Sequence, residues 1–472
     1  MDNSRRTASI HVLDDDSLLH VFYLCRPFLL DEDGIADWCY NGRWWYALAH
    51  VCRRWRNIIL RSATYLGLSM LCTYSTPVAD MLAHSPSFPL LVGYFMKNRQ
   101  LTTEDEEGII LALKQRDRVR RVRLHNAATI NHWQKLFVVM DEEYPILEYL
   151  YISRQHEDNS TISKFPESFQ APHLRFLALR GFAFPIGSRL LTTAVGLITL
   201  RLDMVHPSTY FHLNTLIQYI SLMPQLETLK IYFKLSTPSR DVERQLTRTP
   251  IIATITLPNL HHFHFRGVSS YLEELVHSVI TPRLEDLRIE FFNQLSFSLP
   301  RLRQFIDAAE NLRFGNAVLT FSSKKIDAVV SPHAETEVYP LGIRVLCCHR
   351  DWQVSSMAQI SNSLSEIFPA VERLVLQHHI RGESSEEHNE VDRAEWRKLL
   401  RPFSNVKTLR IQNGLVKDLS HCLELEDGEL PLELLPELRE LEYFGSGDPG
   451  DAFTSFIETR RNAGRPITLV CL

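Results

Sequence analysis

Three short motifs contain residue types that could do chemistry. Gly445-Ser-Gly-Asp-Pro-Gly450 has the G-x-G-x-x-G spacing with which a glycine-rich turn approaches a dinucleotide pyrophosphate. His261-His-Phe-His264 and Cys347-Cys-His349 contain imidazole and thiol groups, which bind transition metals. Each motif needs further residues at a defined spacing before it can bind a nucleotide or a metal.

Those further residues are missing for all three motifs. Only 22 residues follow Gly450, which is too few for a nucleotide-binding sheet, so we interpret the glycines as a turn before the last helix. No carboxylate or cysteine completes a metal site around His262 and His264, and Cys347 and Cys348 would point to opposite faces of a strand. G-x-S-x-G, P-loop, H-E-x-x-H and kinase signatures are also absent from the sequence. We therefore predict no catalytic residue, no cofactor and no metal, and we expect that the chain is not an enzyme.

A repeated apolar pattern organises most of the chain. Leu226, Leu229 and Ile231 have the spacing L-x-x-L-x-L, and copies between Leu147 and Leu284 follow one another after 27, 23, 29, 34 and 24 residues. The triads begin at Val119, Leu147, Leu174, Leu197, Leu226, Leu260, Leu284, Val371, Val406 and Leu438. This irregular repeat is similar to leucine-rich repeats. It predicts an α/β solenoid, or horseshoe, over residues 116–472, with strands on the concave side, helices between them and a poor fit over 312–360.

Strand alternation turns this pattern into a predicted binding surface. The residue between the last two apolar positions faces solvent, and five of the ten such residues are Arg or Lys, where 51 in 472 predicts about one. We predict that this basic strip binds an acidic or phosphorylated segment of a target protein. The alternatives are that each Arg pairs with a neighbouring acid such as Asp203 or Glu290, or that the strip binds nucleic acid, which the net charge of −5 disfavours. The predicted binding residues are Arg123, Tyr151, Arg201, Lys230, Tyr232, His264, Arg266, Arg288 and Arg410.

Residues 10–65 lack the repeat and predict a small all-α domain. Asp14-Asp-Asp-Ser17 suits a helix N-terminus, and Leu18, Leu19 and Phe22 then form one apolar stripe. A second helix is predicted from about Trp45 to Leu60. Its apolar face would consist of Leu48, Val51, Cys52, Trp55 and Ile59.

The N-terminal motifs resemble an F-box. Ile10-His-Val-Leu-Asp-Asp-Asp-Ser-Leu-Leu-His-Val-Phe22 and Ala47-Leu-Ala-His-Val-Cys-Arg-Arg-Trp-Arg-Asn-Ile-Ile59 are similar to the F-box-like segment of families expanded in mushroom-forming fungi. Residues 66–81 and 456–470 also resemble those families. Two departures are an Asp at position 14, where the usual opening is Leu-Pro, and extra residues at about 27–44.

This resemblance implies a substrate receptor that docks on a Skp-type adaptor and, through it, on the cullin and RING protein of a ubiquitin ligase. Catalysis would then lie in the partner proteins, while this chain positions the target. The alternative for the apolar helical face is packing on the first repeats, and the alternative function is an interaction scaffold not coupled to ubiquitin transfer. The candidate adaptor-binding residues are Leu13, Leu18, Leu19, Phe22, Val51, Cys52 and Trp55.

Composition sets the remaining expectations. The chain is 45% hydrophobic and 23% charged, and it has neither an apolar run of about 20 residues nor an apolar N-terminal segment, so we expect a cytoplasmic or nuclear protein without a membrane span. Eight scattered cysteines predict no disulfide framework. We predict disorder in residues 1–9, a helical join over 66–115 and an exposed acidic loop at 382–390. Capping boxes are predicted at 103–106 and 270–273.

Overall fold

The computed structural model describes residues 12–27, 42–95, 101–125, 130–154, 165–182, 187–205, 213–234, 254–333, 339–379, 392–425, 430, 432–444 and 450–471. The chain divides into two compact units, Met1–Leu197 and Ile198–Leu472, which are described separately below. The predicted disordered N-terminus, the acidic loop at 382–390 and the glycines at 445–449 lie outside the described residues, as do residues 28–41 of the predicted extra segment at about 27–44.

Unit 1 begins with short helices and continues into a parallel sheet. Its helices are α1 (Asp15–Leu24), α2 (Trp44–Ala49), α3 (Arg53–Arg61), α4 (Ala63–Leu66), α5 (Val78–His84), α6 (Thr103–Leu113), α7 (Ile130–Met140) and α8 (Arg189–Thr193). Its strands, which are neighbours in chain order, are β1 (Met70–Cys72), β2 (Leu90–Phe95), β3 (Val119–His125), β4 (Tyr149–Ser153) and β5 (Phe176–Arg180). The segment that we predicted to be a helical join therefore also supplies two strands, β1 and β2.

The helix predicted over about 45–60 is two helices. Cys52 has extended backbone angles of φ −159° and ψ 170°, which end helical geometry, and its Sγ accepts a hydrogen bond from the backbone N–H of Trp55 at 3.5 Å. A new helix, α3, thus begins at Arg53 with Cys52 as its N-cap. Because the register restarts there, Val51 is 58% exposed instead of lying on the apolar face with Ile59.

Helix α6 begins with a capping box one residue earlier than predicted. The Thr102 hydroxyl accepts from the N–H of Asp105 at 3.1 Å, and the Asp105 carboxylate accepts from the N–H of Thr102 at 3.2 Å. The backbone N–H groups of Thr102 and Asp105, which have no partner within the helix, are thereby hydrogen-bonded.

Unit 2 is a longer α/β assembly. Its helices are α9 (Leu213–Ser221), α10 (Ser269–His277), α11 (Pro300–Asp307), α12 (Arg350–Ser363), α13 (Arg393–Leu400), α14 (Val416–Leu423) and α15 (Thr454–Asn462). Its strands are β6 (Thr199–Val205), β7 (Thr228–Phe233), β8 (Ile255–Thr256), β9 (His262–Gly267), β10 (Val279–Ile280), β11 (Asp286–Phe292), β12 (Asn316–Ser322), β13 (Ile326–Ser331), β14 (Leu341–Leu346), β15 (Arg373–His379), β16 (Thr408–Gln412), β17 (Glu440–Phe444) and β18 (Thr468–Cys471). Within this unit the sheet runs β6-β7-β9-β11-β14-β13-β12-β15-β16-β17-β18, while β8 and β10 pair separately.

An antiparallel hairpin explains why residues 312–360 fit the repeat poorly. Strand β12 pairs in parallel with β15, β13 returns antiparallel to β12, and β14 pairs antiparallel with β13 and parallel with β11. Three strands therefore fill the space between β11 and β15. Their alternation lacks the spacing of L-x-x-L-x-L, and β12 returns directly to β13 through residues 323–325.

The ten apolar triads form the core of both units as predicted. All thirty side chains are at most 4% exposed, from Val119 in β3 to Tyr443 in β17. Each large apolar side chain buried in this way contributes about 1.5–3 kcal/mol to folding. In the described part of the chain no helix is long and apolar enough to cross a bilayer.

The capping box predicted at Ser270 and Glu273 is wrong. Helix α10 starts at Ser269, after an N-cap at Val268 that makes no side-chain cap, so Glu273 lies too far along the helix to reach back. Its carboxylate instead accepts from the backbone N–H groups of Arg301 and Leu302 in the first turn of α11, both at 2.9 Å. Glu273 thus links two neighbouring repeats.

Candidate functional site

Helices α1 and α3 form the packed centre of the N-terminal helical domain. The rings of Phe22 and Trp55 lie 4.9 Å apart, and Leu18 and Phe22 are fully buried. Arg54 holds the start of α1, because its guanidinium donates to the Asp15 carboxylate at 2.8 Å and to the carbonyl of Leu13 at 2.6 Å. These contacts fix the angle between the two helices.

The seven predicted adaptor-binding residues divide into three groups. Leu18 and Phe22 serve the internal core, and Trp55 packs against Phe22 with the ring planes tilted by 60°, whereas Leu13 and Val51 are 38% and 58% exposed. Leu19 and Cys52 are partly exposed. Leu19 lines an open groove of about 470 Å³ between α1 and α3, together with Asp15, Asp16, Arg53, Arg54, Asn57, Ile58, Arg61 and Ser62.

The helical domain also exposes apolar residues that the sequence did not single out. Seven of the eighteen exposed large hydrophobic side chains of the described chain lie between Val12 and Tyr65. Besides Leu13 and Val51, they are Val12, Val21, Tyr23, Leu24 and Tyr65. Tyr23 and Tyr65 lie side by side with their ring centroids 5.3 Å apart. A concentration of exposed apolar groups in one small domain is typical of an interaction surface.

The second candidate site is the open face of each sheet, which we define as the side whose residues alternate with the buried triad positions. In unit 2 the backbone register aligns Arg201, Lys230, His264 and Arg288 across β6, β7, β9 and β11. The predicted row of basic residues is therefore continuous over four strands of this unit.

Acidic side chains accompany most of these bases. Arg201 lies 3.2 Å from Asp203, Arg288 3.0 Å from Asp286 and Arg266 3.0 Å from Glu290. Further along, Glu442 lies 2.8 Å from Arg373 and 4.0 Å from Arg410, whose guanidinium also lies 5.1 Å from the ring centroid of Phe444. This geometry favours the alternative in which the Arg residues pair with neighbouring acids.

Three of the open-face residues form a hydrogen-bonded chain that the sequence did not predict. The Tyr232 hydroxyl lies 3.1 Å from Nδ1 of His264, and Nε2 of His264 lies 2.7 Å from the Asp286 carboxylate. A neutral His264 would donate to Asp286 and accept from Tyr232. Asp286 was missed because it comes from the next strand, where it is in register with His262.

Burial and neighbouring charges shift the pKa of all three groups. Burial raises the pKa of Tyr232 to about 12. Burial also lowers the pKa of His264, and the hydrogen bond to Asp286 and its charge offset part of that decrease. Burial also acts to raise the pKa of Asp286, but hydrogen bonds from His262 and His264 and the charge of Arg288 outweigh it and hold that pKa well below its usual range. The chain is thus built around an ionised Asp286 and a neutral His264.

The open face of unit 1 has a different composition. The register aligns Leu71, Leu91, Arg121, Tyr149 and Phe176 across β1 to β5. The rings of Tyr149 and Phe176 are stacked with centroids 4.3 Å apart. In the next row, the largely buried Arg123 lies 5.7 Å from the ring centroid of Tyr151. This face is aromatic and cationic.

The motifs with possible metal ligands do not assemble a site. Among the described residues, no group of three or more His, Cys, Asp or Glu side chains is arranged to hold a metal ion. Cys347 is buried, which raises the pKa of its thiol to about 12, whereas Cys348 is exposed, as expected for adjacent strand-like residues that point in opposite directions.

Comparison with known proteins gives little further information. No family model matches the chain, and no curated protein matches it. A solved structure that is similar to it is the leucine-rich-repeat-containing protein LegL7 from Legionella pneumophila, with 11% identity, a TM-score of 0.23, and coverage of 82% of this chain and 97% of LegL7. A TM-score of 0.23 is too low to establish a shared fold.

Proposed function

We propose that this chain is a protein-interaction scaffold that acts as the substrate receptor of a cullin-RING ubiquitin ligase. In this proposal the N-terminal helical domain docks on a Skp-type adaptor, and the open faces of the repeats receive the target protein. In this proposal the chain itself catalyses no reaction, and its contribution to ubiquitin transfer is to hold the target near the conjugating enzyme.

One observation carries the proposal: the helical domain has both an internal core and a set of exposed apolar side chains. Leu18, Phe22 and Trp55 hold α1 against α3, so the domain does not need Leu13 or Val51 for its own packing. Exposure of Leu and Val side chains to water is unfavourable, and a partner surface that covers them stabilises the complex by about 25 cal/mol per Å² of apolar area. The F-box resemblance supplies the identity of the proposed partner.

The test is co-expression of the full chain with a fungal Skp-type adaptor, followed by size-exclusion chromatography. We expect a stoichiometric complex. The double variant Leu13→Asp/Val51→Asp and the single variant Leu19→Asp should each weaken it roughly 10- to 100-fold, as charged groups do in the centre of an interface. Val138→Asp is the matched control, because Val138 is 77% exposed on α7, outside the helical domain.

The outcomes separate the proposal from its alternative. A well-folded chain that elutes alone would leave a scaffold not coupled to ubiquitin transfer as the better description. Equal loss of binding in the Val138 control would show that any surface charge disturbs the complex. Trp55→Ala is unsuitable for this test, because it removes the ring that packs on Phe22 and so disturbs the domain itself.

A further inference from the structure

Strand β18 is an open edge of the unit 2 sheet. It pairs in parallel with β17, and among the described residues no strand pairs with its other side. The first strand of the unit 1 sheet, β1, differs, because Met70, Leu71 and Cys72 are at most 3% exposed. An open edge strand presents unpaired N–H and C=O groups, which favour pairing with another strand.

The hydrogen bonds to β17 establish which backbone groups of β18 point outward. The N–H of Thr468 donates to the carbonyl of Arg439 at 2.9 Å, on the β17 side. Because the direction of the backbone groups alternates along a strand, those of Leu469 and Cys471 point away from β17, as do those of Ile467. Three alternate residues can therefore bond to a further strand.

The side chain of Leu469 is also incompletely covered. Leu374, Leu409, Leu441 and Leu469 are in register across β15, β16, β17 and β18. The first three are fully buried, whereas Leu469 is 37% exposed. The row of core leucines thus reaches the outermost strand, and a strand paired to the open edge would cover its last member.

We infer that two copies of this chain associate through β18, with the two strands antiparallel about a two-fold axis at Leu469. In this arrangement Leu469 lies opposite its own copy, Ile467 lies opposite Cys471, and their outward-facing backbone groups are all paired. Thr468 and Val470 lie opposite each other on the open side of the sheet. The inference concerns assembly of the chain and does not depend on adaptor docking.

The composition of β18 suits pairing with a second copy. The strand Thr468–Cys471 contains no charged residue, so a two-fold axis brings no like charges together within it. It also contains no Pro, Lys or β-bulge, which are the features that commonly block edge pairing. Every side chain of the strand meets an apolar or β-branched partner.

The shortness of β18 predicts weak association. A pair of four-residue strands buries less than the about 1,600 Å² of a standard interface, so we expect a dissociation constant in the micromolar range. Because a two-fold contact is closed, no species larger than a dimer should form.

Sedimentation velocity of the full chain over a micromolar concentration series tests the inference, with a reductant present so that the exposed Cys471 does not link two chains. We expect a monomer–dimer equilibrium. Leu469→Lys and Leu469→Glu each place like charges opposite one another and should weaken dimerisation by about 10-fold or more. Leu469→Pro should have a similar effect, because it removes an outward-facing N–H but no bond to β17.

An equimolar mixture of Leu469→Lys and Leu469→Glu should associate again, because opposite charges then face each other. This recovery is specific to a dimer in which residue 469 lies opposite itself. Leu222→Lys is the matched control, since Leu222 is 40% exposed in the same unit, directly after α9. It should change the dissociation constant less than about 2-fold.

Three results would overturn the inference. They are a chain that stays monomeric at every concentration, a dimer that all three Leu469 variants leave intact, and a Lys–Glu mixture that associates no better than either variant alone. Thermal unfolding followed by circular dichroism identifies any variant that fails to fold, and the remaining Leu469 variants then decide the outcome.

Discussion

The open faces of the two units are built from the same strand pattern but hold their cations differently. In unit 2, Arg201, Arg266 and Arg288 each lie within 3.2 Å of a carboxylate. In unit 1, Arg121 lies in register between Leu91 and Tyr149, and burial, Arg120 and Arg26 lower its pKa while Glu148 acts to raise it. The number of basic residues on a sheet face therefore does not measure its affinity for anions, because neighbouring acids have to be counted as well.

The largest expected effect concerns the aromatic frame of unit 1. Tyr149→Ala removes a nearly buried ring that stacks on Phe176, and we expect it to lower the free energy of unfolding by about 3 kcal/mol. Tyr232→Ala truncates the same residue type on the more solvated face of unit 2 and should cost about half as much. Urea unfolding followed by circular dichroism measures both. Equal decreases in the free energy of unfolding for the two variants would contradict the difference in packing between the two open faces.

An intermediate effect should appear in unit 2 at acidic pH. The fold lowers the pKa of His264 from its ordinary 6.5 and that of Asp286 from 3.8, so the unfolded chain binds more protons than the folded one below those values. The contribution of His264 and Asp286 to the free energy of unfolding is fully present above about pH 6.5. As the pH falls, this contribution is lost first by protonation of His264 and then by protonation of Asp286.

Hydrogen exchange, corrected for the intrinsic rate, tests this pH dependence. Protection of β9 and β11 should fall more between pH 7 and pH 5 than protection of β4, which serves as the internal reference. His264→Gln should remove most of that difference. A uniform change across all three strands would contradict the assignment to His264.

The smallest effect is expected for the exposed ion pair of unit 2. Arg288→Gln removes a guanidinium that is 61% exposed, so the free energy of unfolding should change by less than about 0.5 kcal/mol. The same urea experiment at low and at high salt measures it. A loss above about 1 kcal/mol that disappears in high salt would show that the ion pairs of this face contribute more than their exposure indicates.

Much of the core could be predicted from the sequence, and much less of the site. Leu226, Leu229 and Ile231 are buried as their spacing predicts, because alternation is a local property of an extended chain. Arg201 and Lys230 were correctly placed in one row for the same reason. Asp286 was missed as the partner of His264, since its position depends on which strand comes next and in which register. The apolar neighbours of Arg121 were missed because Leu91 and Tyr149 lie on other strands.

The sequence by itself determined the repeating strand pattern, the thirty buried side chains and the helical character of the N-terminal domain, since all of these follow from short-range periodicity. Only the tertiary structure decided that the second predicted N-terminal helix breaks at Cys52, that β12 to β14 form an antiparallel insertion, and that Asp286 pairs with Arg288 and His264. The physical reason is that charge balance and packing on a sheet face depend on contacts between strands far apart in sequence. The energy of such contacts depends on register, which composition does not specify.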